Sequence, residues 1–156
     1  MHTNTEYQHP EYLTLRKWIS ADKLDDYDLS SNPNAINLLQ NNLDCIDWFQ
    51  LSKNPNATHL IENMIKKDSG RIDWDRLSKN PNAIYLLKAN PKRIDWEQVN
   101  RNPGAVHLLE ANPNKIYWSE LCSNPNAIHL LEANPDKIHW TELCFNPNAI
   151  HLLKAN

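Results

Sequence analysis

Glycine is almost missing from this chain, with two residues in 156. That scarcity excludes a glycine-rich loop cradling phosphates. Cysteine is nearly as rare, and Cys45, Cys122 and Cys144 lack the paired spacing of a metal site; they fit a reducing compartment. No apolar run approaches the roughly 20 residues that span a bilayer. The opening stretch, MHTNTEYQHPEYLTLRKWIS, has neither the positive start nor the apolar segment of a secretory signal. A net charge of −3 supplies no basic field to draw nucleic acid or anionic lipid. No nucleophile elbow and no His-Glu-x-x-His helix is present. The expectation is an intracellular, non-enzymatic protein with no cofactor, no bound metal and no membrane contact.

What the chain does have is proline, ten residues of it, nine following an asparagine. The first Asn-Pro proline of each unit falls at 33, 55, 81, 103, 125 and 147, and tryptophan falls at 48, 74, 96, 118 and 140. Both series step by 22 residues, apart from one step of 26. A fixed period of this length marks a repeat architecture. The single four-residue insertion lies around Lys66, Lys67, Asp68, Ser69 and Gly70, and its polar content predicts a loop bulging from one turn of the array.

Each unit reads as two short helices. In Asn124-Pro125-Asn126-Ala127-Ile128-His129-Leu130-Leu131, asparagine suits an N-cap and proline the first helical position. Ala127, Ile128, Leu130 and Leu131 share a face. The next Asn134-Pro135 ends that helix after about nine residues. Ile138 then turns inward, and a second helix starts near Trp140, with Leu143 on the same side. Asp47 with Gln50, and Asp95 with Gln98, have capping-box spacing; Tyr117 and His139 hold the equivalent place with weaker chemistry. The five large apolar side chains of one unit do not offset the entropy of ordering 22 residues, so a lone repeat is unstable. Stacked copies share interfaces. The fold class predicted is all-α: an α-solenoid of about six 22-residue two-helix repeats, a longer helix alternating with a shorter, 3₁₀-like one, curving into a right-handed superhelix.

Residues 1–28 break the repeat. Tyr12, Leu13, Leu15, Trp18 and Ile19 recur at helical spacing and predict an amino-terminal capping helix, followed by the array over 29–156 as one packed domain. The sequence stops at Asn156 midway through a unit, which leaves either a truncated array or an open end that packs on another copy.

From Leu29 to Asn156 the units resemble the tandem Asn-Pro-Asn-Ala-Ile repeats of uncharacterised giant DNA virus proteins. The lead-in RKWISADKLDDYDLSSNPNAI resembles the segment that precedes such arrays. Asp26 stands where the pattern has Trp, and Leu43 where it has the second Pro. The resemblance implies an interaction module working in the cytoplasm of an infected host cell and says nothing about a reaction. A more distant similarity, to leucine-rich variant repeats, is one of architecture only.

Asn37, His59, Tyr85, His107, His129 and His151 share one position and are expected to align along an outer face. A zinc site there is disfavoured, because layers about 10 Å apart cannot bring four ligands to one ion. A row for recognising a partner fits better, with Tyr85, His107, His129 and His151 as its members and Glu110 and Glu132 beside them. Asn32, Asn54, Asn80, Asn102, Asn124 and Asn146 form a second row, read as caps that also bond between layers. The tryptophans read as core, and Cys122 and Cys144 as buried small hydrophobes. Arg71, Arg93, Lys115 and Lys137 make a weak basic row, countered by Glu97, Glu110, Glu120, Glu132 and Glu142. The function expected is a scaffold for protein–protein interaction. Self-assembly through the carboxyl-terminal end is the first alternative, and RNA binding the second.

Overall fold

The computed structural model describes residues 24–154. They form twelve α-helices and, among the described residues, no strand. The odd-numbered helices begin at or in register with tryptophan: α1 (Asp26–Ser31), α3 (Trp48–Lys53), α5 (Trp74–Lys79), α7 (Trp96–Arg101), α9 (Trp118–Cys122) and α11 (Trp140–Leu143). The even-numbered helices follow each Asn-Pro corner: α2 (Ile36–Gln40), α4 (Thr58–Asp68), α6 (Ile84–Ala89), α8 (Val106–Glu110), α10 (Ile128–Glu132) and α12 (Ile150–Lys154). One odd and one even helix make a layer. The layers stack into an α-solenoid in which α1 packs on α3, α3 on α5, α5 on α7, α7 on α9 and α9 on α11. The closest helix-to-helix packing between layers is along this odd row. The expected capping helix lies outside the described residues. Although Asp26 replaces tryptophan, α1 occupies the same place in its layer as the tryptophan-led helices.

Leucine and alanine at fixed positions supply the core. Leu51, Leu77, Leu121 and Leu143 from the odd helices are fully buried, as are Leu39, Leu87, Leu109 and Leu131 from the even ones. Ala57, Ala83, Ala105, Ala127 and Ala149 sit buried in the corners, where a larger side chain would hold the two helices of a layer apart. The tryptophans are peripheral to this core: Trp48, Trp74, Trp96 and Trp118 are half-buried against it, and Trp140 is 43% exposed.

Three rows of side-chain hydrogen bonds stitch the layers. In the first, each corner asparagine reaches back to the preceding layer: Asn102 Nδ2 donates to the carbonyls of Ser78 (2.8 Å) and Asn80 (3.1 Å), and Asn124 repeats this on Asn100 and Asn102 (both 2.9 Å). Asn54, Asn80 and Asn146 do the same. All five are at most 4% exposed, and an amide buried that deeply requires partners. In the second row, Asn56, Asn82, Asn126 and Asn148 donate to the carbonyl of the preceding layer's proline at 2.8–3.1 Å. Gly104 replaces asparagine in this row, and a Cβ there would lie 2.5 Å from the Pro81 carbonyl oxygen. In the third, a small polar group near the end of one odd helix accepts the backbone N–H that precedes the next: Ser30 from Asp47, Ser52 from Asp73, Ser78 from Asp95, Asn100 from Tyr117 and Cys122 from His139.

Several expectations change. The corner asparagine does not cap the α-helix directly. Its Oδ1 accepts from the N–H two residues on, as in Asn124 to Asn126 (3.0 Å), which tightens the corner into a turn or a 3₁₀ segment such as Pro81–Ala83. The even helix therefore starts three to four residues later and, α4 apart, spans five or six residues rather than nine, about the same as the odd helices. The insertion is not a loop. It is absorbed as roughly one extra turn of α4, which has 11 residues, because four residues are close to the 3.6 of one helical turn. Asp47 and Asp95 do cap their helices, accepting from the backbone N–H groups of Gln50 (2.9 Å) and Gln98 (3.1 Å). At Gln50 the return half of the capping box is missing. The Asp47 N–H goes to Ser30 instead, and both polar atoms of the Gln50 amide are buried without a partner.

Candidate interaction surface

The even helices carry the row of aromatic and acidic side chains. Their buried face is fixed by leucines three and four residues into the helix. The residue after Ile84, Val106, Ile128 or Ile150 therefore points outward, and so does the one three positions later. This places Tyr85, His107, His129 and His151 on the surface, with Glu110 and Glu132 beside them.

The structure brings most of these residues into contact across layers. The imidazole Nε2 of His129 donates to Glu110 Oε1 at 2.8 Å, and His107 Nδ1 reaches the other oxygen of Glu110 at 2.9 Å. One carboxylate thus joins α8 to α10. His151 Nε2 on α12 bonds Glu132 Oε1 of α10 at 2.8 Å. Tyr85 does not join this run. Its hydroxyl is 3.5 Å from Glu62, one layer back, and Lys88 occupies the acidic position that would have faced His107. At the other end of the row, His59 contacts Gln40 of the preceding layer. Gln40, Glu62, Glu110 and Glu132, all at this acidic position, each meet the aromatic residue of the next layer. The 19-residue separation of Glu110 from His129 and of Glu132 from His151 was the signal in the sequence.

These groups remain accessible while bonded. The His107 side chain is 92% exposed, and those of His129 and His151 are 56% and 53% exposed. Bonds from His129, and then from His107, hold the Glu110 carboxyl below its ordinary pKa. The result is a line of fixed donors and acceptors bathed in water, suited to recognition. Among the described residues, no group of three or more histidine, cysteine, aspartate or glutamate side chains is placed to hold a metal ion.

Next to the row, the extra turn of α4 helps form a groove of about 310 Å³ lined by Leu43, Trp48, His59, Leu60, Met64 and Lys67. Three members of the basic row are drawn onto their own neighbours: Arg71 pairs with Asp68 (3.4 Å), Lys137 with Asp136 (3.1 Å), and Lys115 lies 5.9 Å from the Trp96 ring. The cysteines are free thiols. Cys122 is buried as expected, and burial pushes its thiol pKa up. Cys144 is exposed, contrary to expectation, because no described layer covers it. Among the described residues, no helix is long and apolar enough to cross a membrane. Comparison with protein-family models, with curated proteins and with solved structures finds no match.

Proposed function

We propose that the protein is a non-enzymatic scaffold that binds a protein partner along the even-helix face, through Tyr85, His107, His129, His151, Glu110 and Glu132. The observation that carries this reading is the set of inter-layer bonds from His129 to Glu110 and from His151 to Glu132. They hold exposed polar side chains in place before any partner arrives, which lowers the ordering cost of association. On the resemblance to giant-virus repeats, we place the scaffold in the cytoplasm of an infected host cell.

The test is affinity capture from expressing cells with the intact chain, followed by measurement of the purified pair. Replacing His107 and His129 together by alanine is expected to weaken binding roughly tenfold, about 1.4 kcal/mol, with little change in melting temperature. Unchanged affinity would refute the assignment of this face. Equal loss of fold and binding would make the row a structural one.

A further inference from the structure

Asp25, Asp47, Asp73 and Asp95 each cap an odd helix, accepting from the backbone N–H three residues on. Tyr117 and His139 take that position before α9 and α11, and neither side chain makes a cap hydrogen bond. Two helices thus go without a contribution that aspartate supplies in the four preceding layers. A local rule broken in this way points to a role beyond holding the fold. The two rings do not fill the core: Tyr117 is 51% exposed, and His139 is exposed. Described layers bracket Tyr117 on both sides, through α7 and α11, so its exposure belongs to the flank of the stack and not to either end.

Tyr117 and His139 line a cleft of about 460 Å³ together with Trp118, Ser119, Glu97 and Glu120. Its lining holds two carboxylates and no lysine or arginine. Glu120 is bonded to Arg101 and to Ser119. Glu97 makes no ion pair or side-chain hydrogen bond among the described residues. Arg101 is one cation facing three acids: its bond to Glu120, and then the fields of Glu142 and Glu97, raise its pKa. Negative charge is therefore in excess beside two exposed rings.

We propose that this cleft takes an arginine side chain of a protein partner, its guanidinium lying on the Tyr117 ring and donating to the Glu97 carboxylate. A planar cation suits both surfaces at once, stacking on the ring and pairing with the acid. The chain makes such an arrangement for itself in its second and third layers. There the Arg76 guanidinium lies 3.5 Å from the centre of the Phe49 ring, and its Nε is 3.5 Å from Asp73. Glu120 and Glu142 stand in register with Arg76. In the fifth and sixth layers glutamate thus holds the place of that guanidinium, and the cation is left for a partner to supply. The cleft lies on the odd helices, so the inference goes beyond the even-helix face and does not depend on it.

Amide chemical shifts of the full chain, followed by NMR at low ionic strength, test it. The probe is acetylated and amidated glycyl-arginyl-glycine, and the control is the same peptide with neutral citrulline in place of arginine. The arginine peptide is expected to give saturable shifts at Glu97, Tyr117, Ser119 and His139, with a dissociation constant in the millimolar range, and the citrulline peptide none. Tyr117→Asn removes the ring and supplies a capping side chain, so the melting temperature is not expected to fall. Its affinity for the peptide is expected to drop roughly fivefold or more. Glu97→Gln, at an exposed position, is expected to weaken binding to a similar extent while keeping the fold. Absence of saturable shifts overturns the proposal, as does an equal response to the citrulline peptide or an unchanged affinity in either variant. Shifts at Glu110 and His129 in place of the cleft would put the cation on the even-helix row and overturn it as well.

Discussion

Replacing Asn102 tests whether the corner asparagines join the layers or merely occupy their corners. The side chain makes three hydrogen bonds: two donated to the preceding layer, at 2.8 and 3.1 Å, and one accepted from the Gly104 N–H at 2.9 Å. At about 0.5–1.5 kcal/mol each, their loss puts Asn102→Ala at about 1.5–4.5 kcal/mol. Asn102→Asp keeps the bond from Gly104 but turns a carboxylate oxygen toward two buried carbonyls. It is expected to cost more than alanine at pH 7, because a charge is buried without a cation. On acidification the carboxyl gains a proton it can donate, and the deficit relative to the parent at the same pH should shrink. Asn32→Asp makes the same chemical change at an exposed position with no layer behind it among the described residues, and its cost is expected within about 0.5 kcal/mol. Urea unfolding followed at 222 nm, at pH 7 and pH 4, gives all four comparisons. Equal costs for Asn32→Asp and Asn102→Asp, or an Asn102→Asp deficit that ignores pH, would refute the assignment of the row as the inter-layer joint.

Gly104→Ala is expected to destabilise by about 1–3 kcal/mol in the same assay, since the Cβ must push the Pro81 backbone away. Gln50→Met removes a buried amide without partners while roughly keeping its volume, so a gain of about 1 kcal/mol is expected; a loss would mean that the amide is satisfied in solution. For Glu110, a lowered pKa means that the folded state favours the ionised carboxyl. Its contribution is therefore present above the ordinary value of 4.5 and lost as pH falls through the lower folded value. The unfolding midpoint of the parent should fall relative to Glu110→Gln only over that acidic window, and parallel curves would count against the His129 and His107 bonds.

The layer architecture was legible because tryptophan, the Asn-Pro pair and the leucines recur at one period, and each recurrence has a physical cause. The start of the even helices was misplaced, because asparagine and proline serve both a helix start and a tight corner. Only the bond from Asn126 N–H to Asn124 Oδ1 decides between them. The fate of the insertion turned on its length, which nearly matches a helical turn, rather than on its polar composition. The small polar row was overlooked because Ser30, Ser52, Ser78, Asn100 and Cys122 differ in chemistry while sharing one acceptor role. For the candidate surface, the outward direction of His107, His129 and His151 followed from helical spacing. The bonds of His129 and His151 to the neighbouring layer were not anticipated, since they depend on how far one layer slides over the next.

The uniform backward reach of the corner asparagines also bears on mechanics. A chain pulled from its ends loads these joints in series, and each layer can leave the stack only by breaking its own small set of bonds. Stretching is then expected to give a train of similar steps, each releasing about 22 residues and lengthening the chain by roughly 65 Å after subtracting one layer thickness. A molecule built this way yields gradually under tension and re-forms one coil at a time, as a spring does.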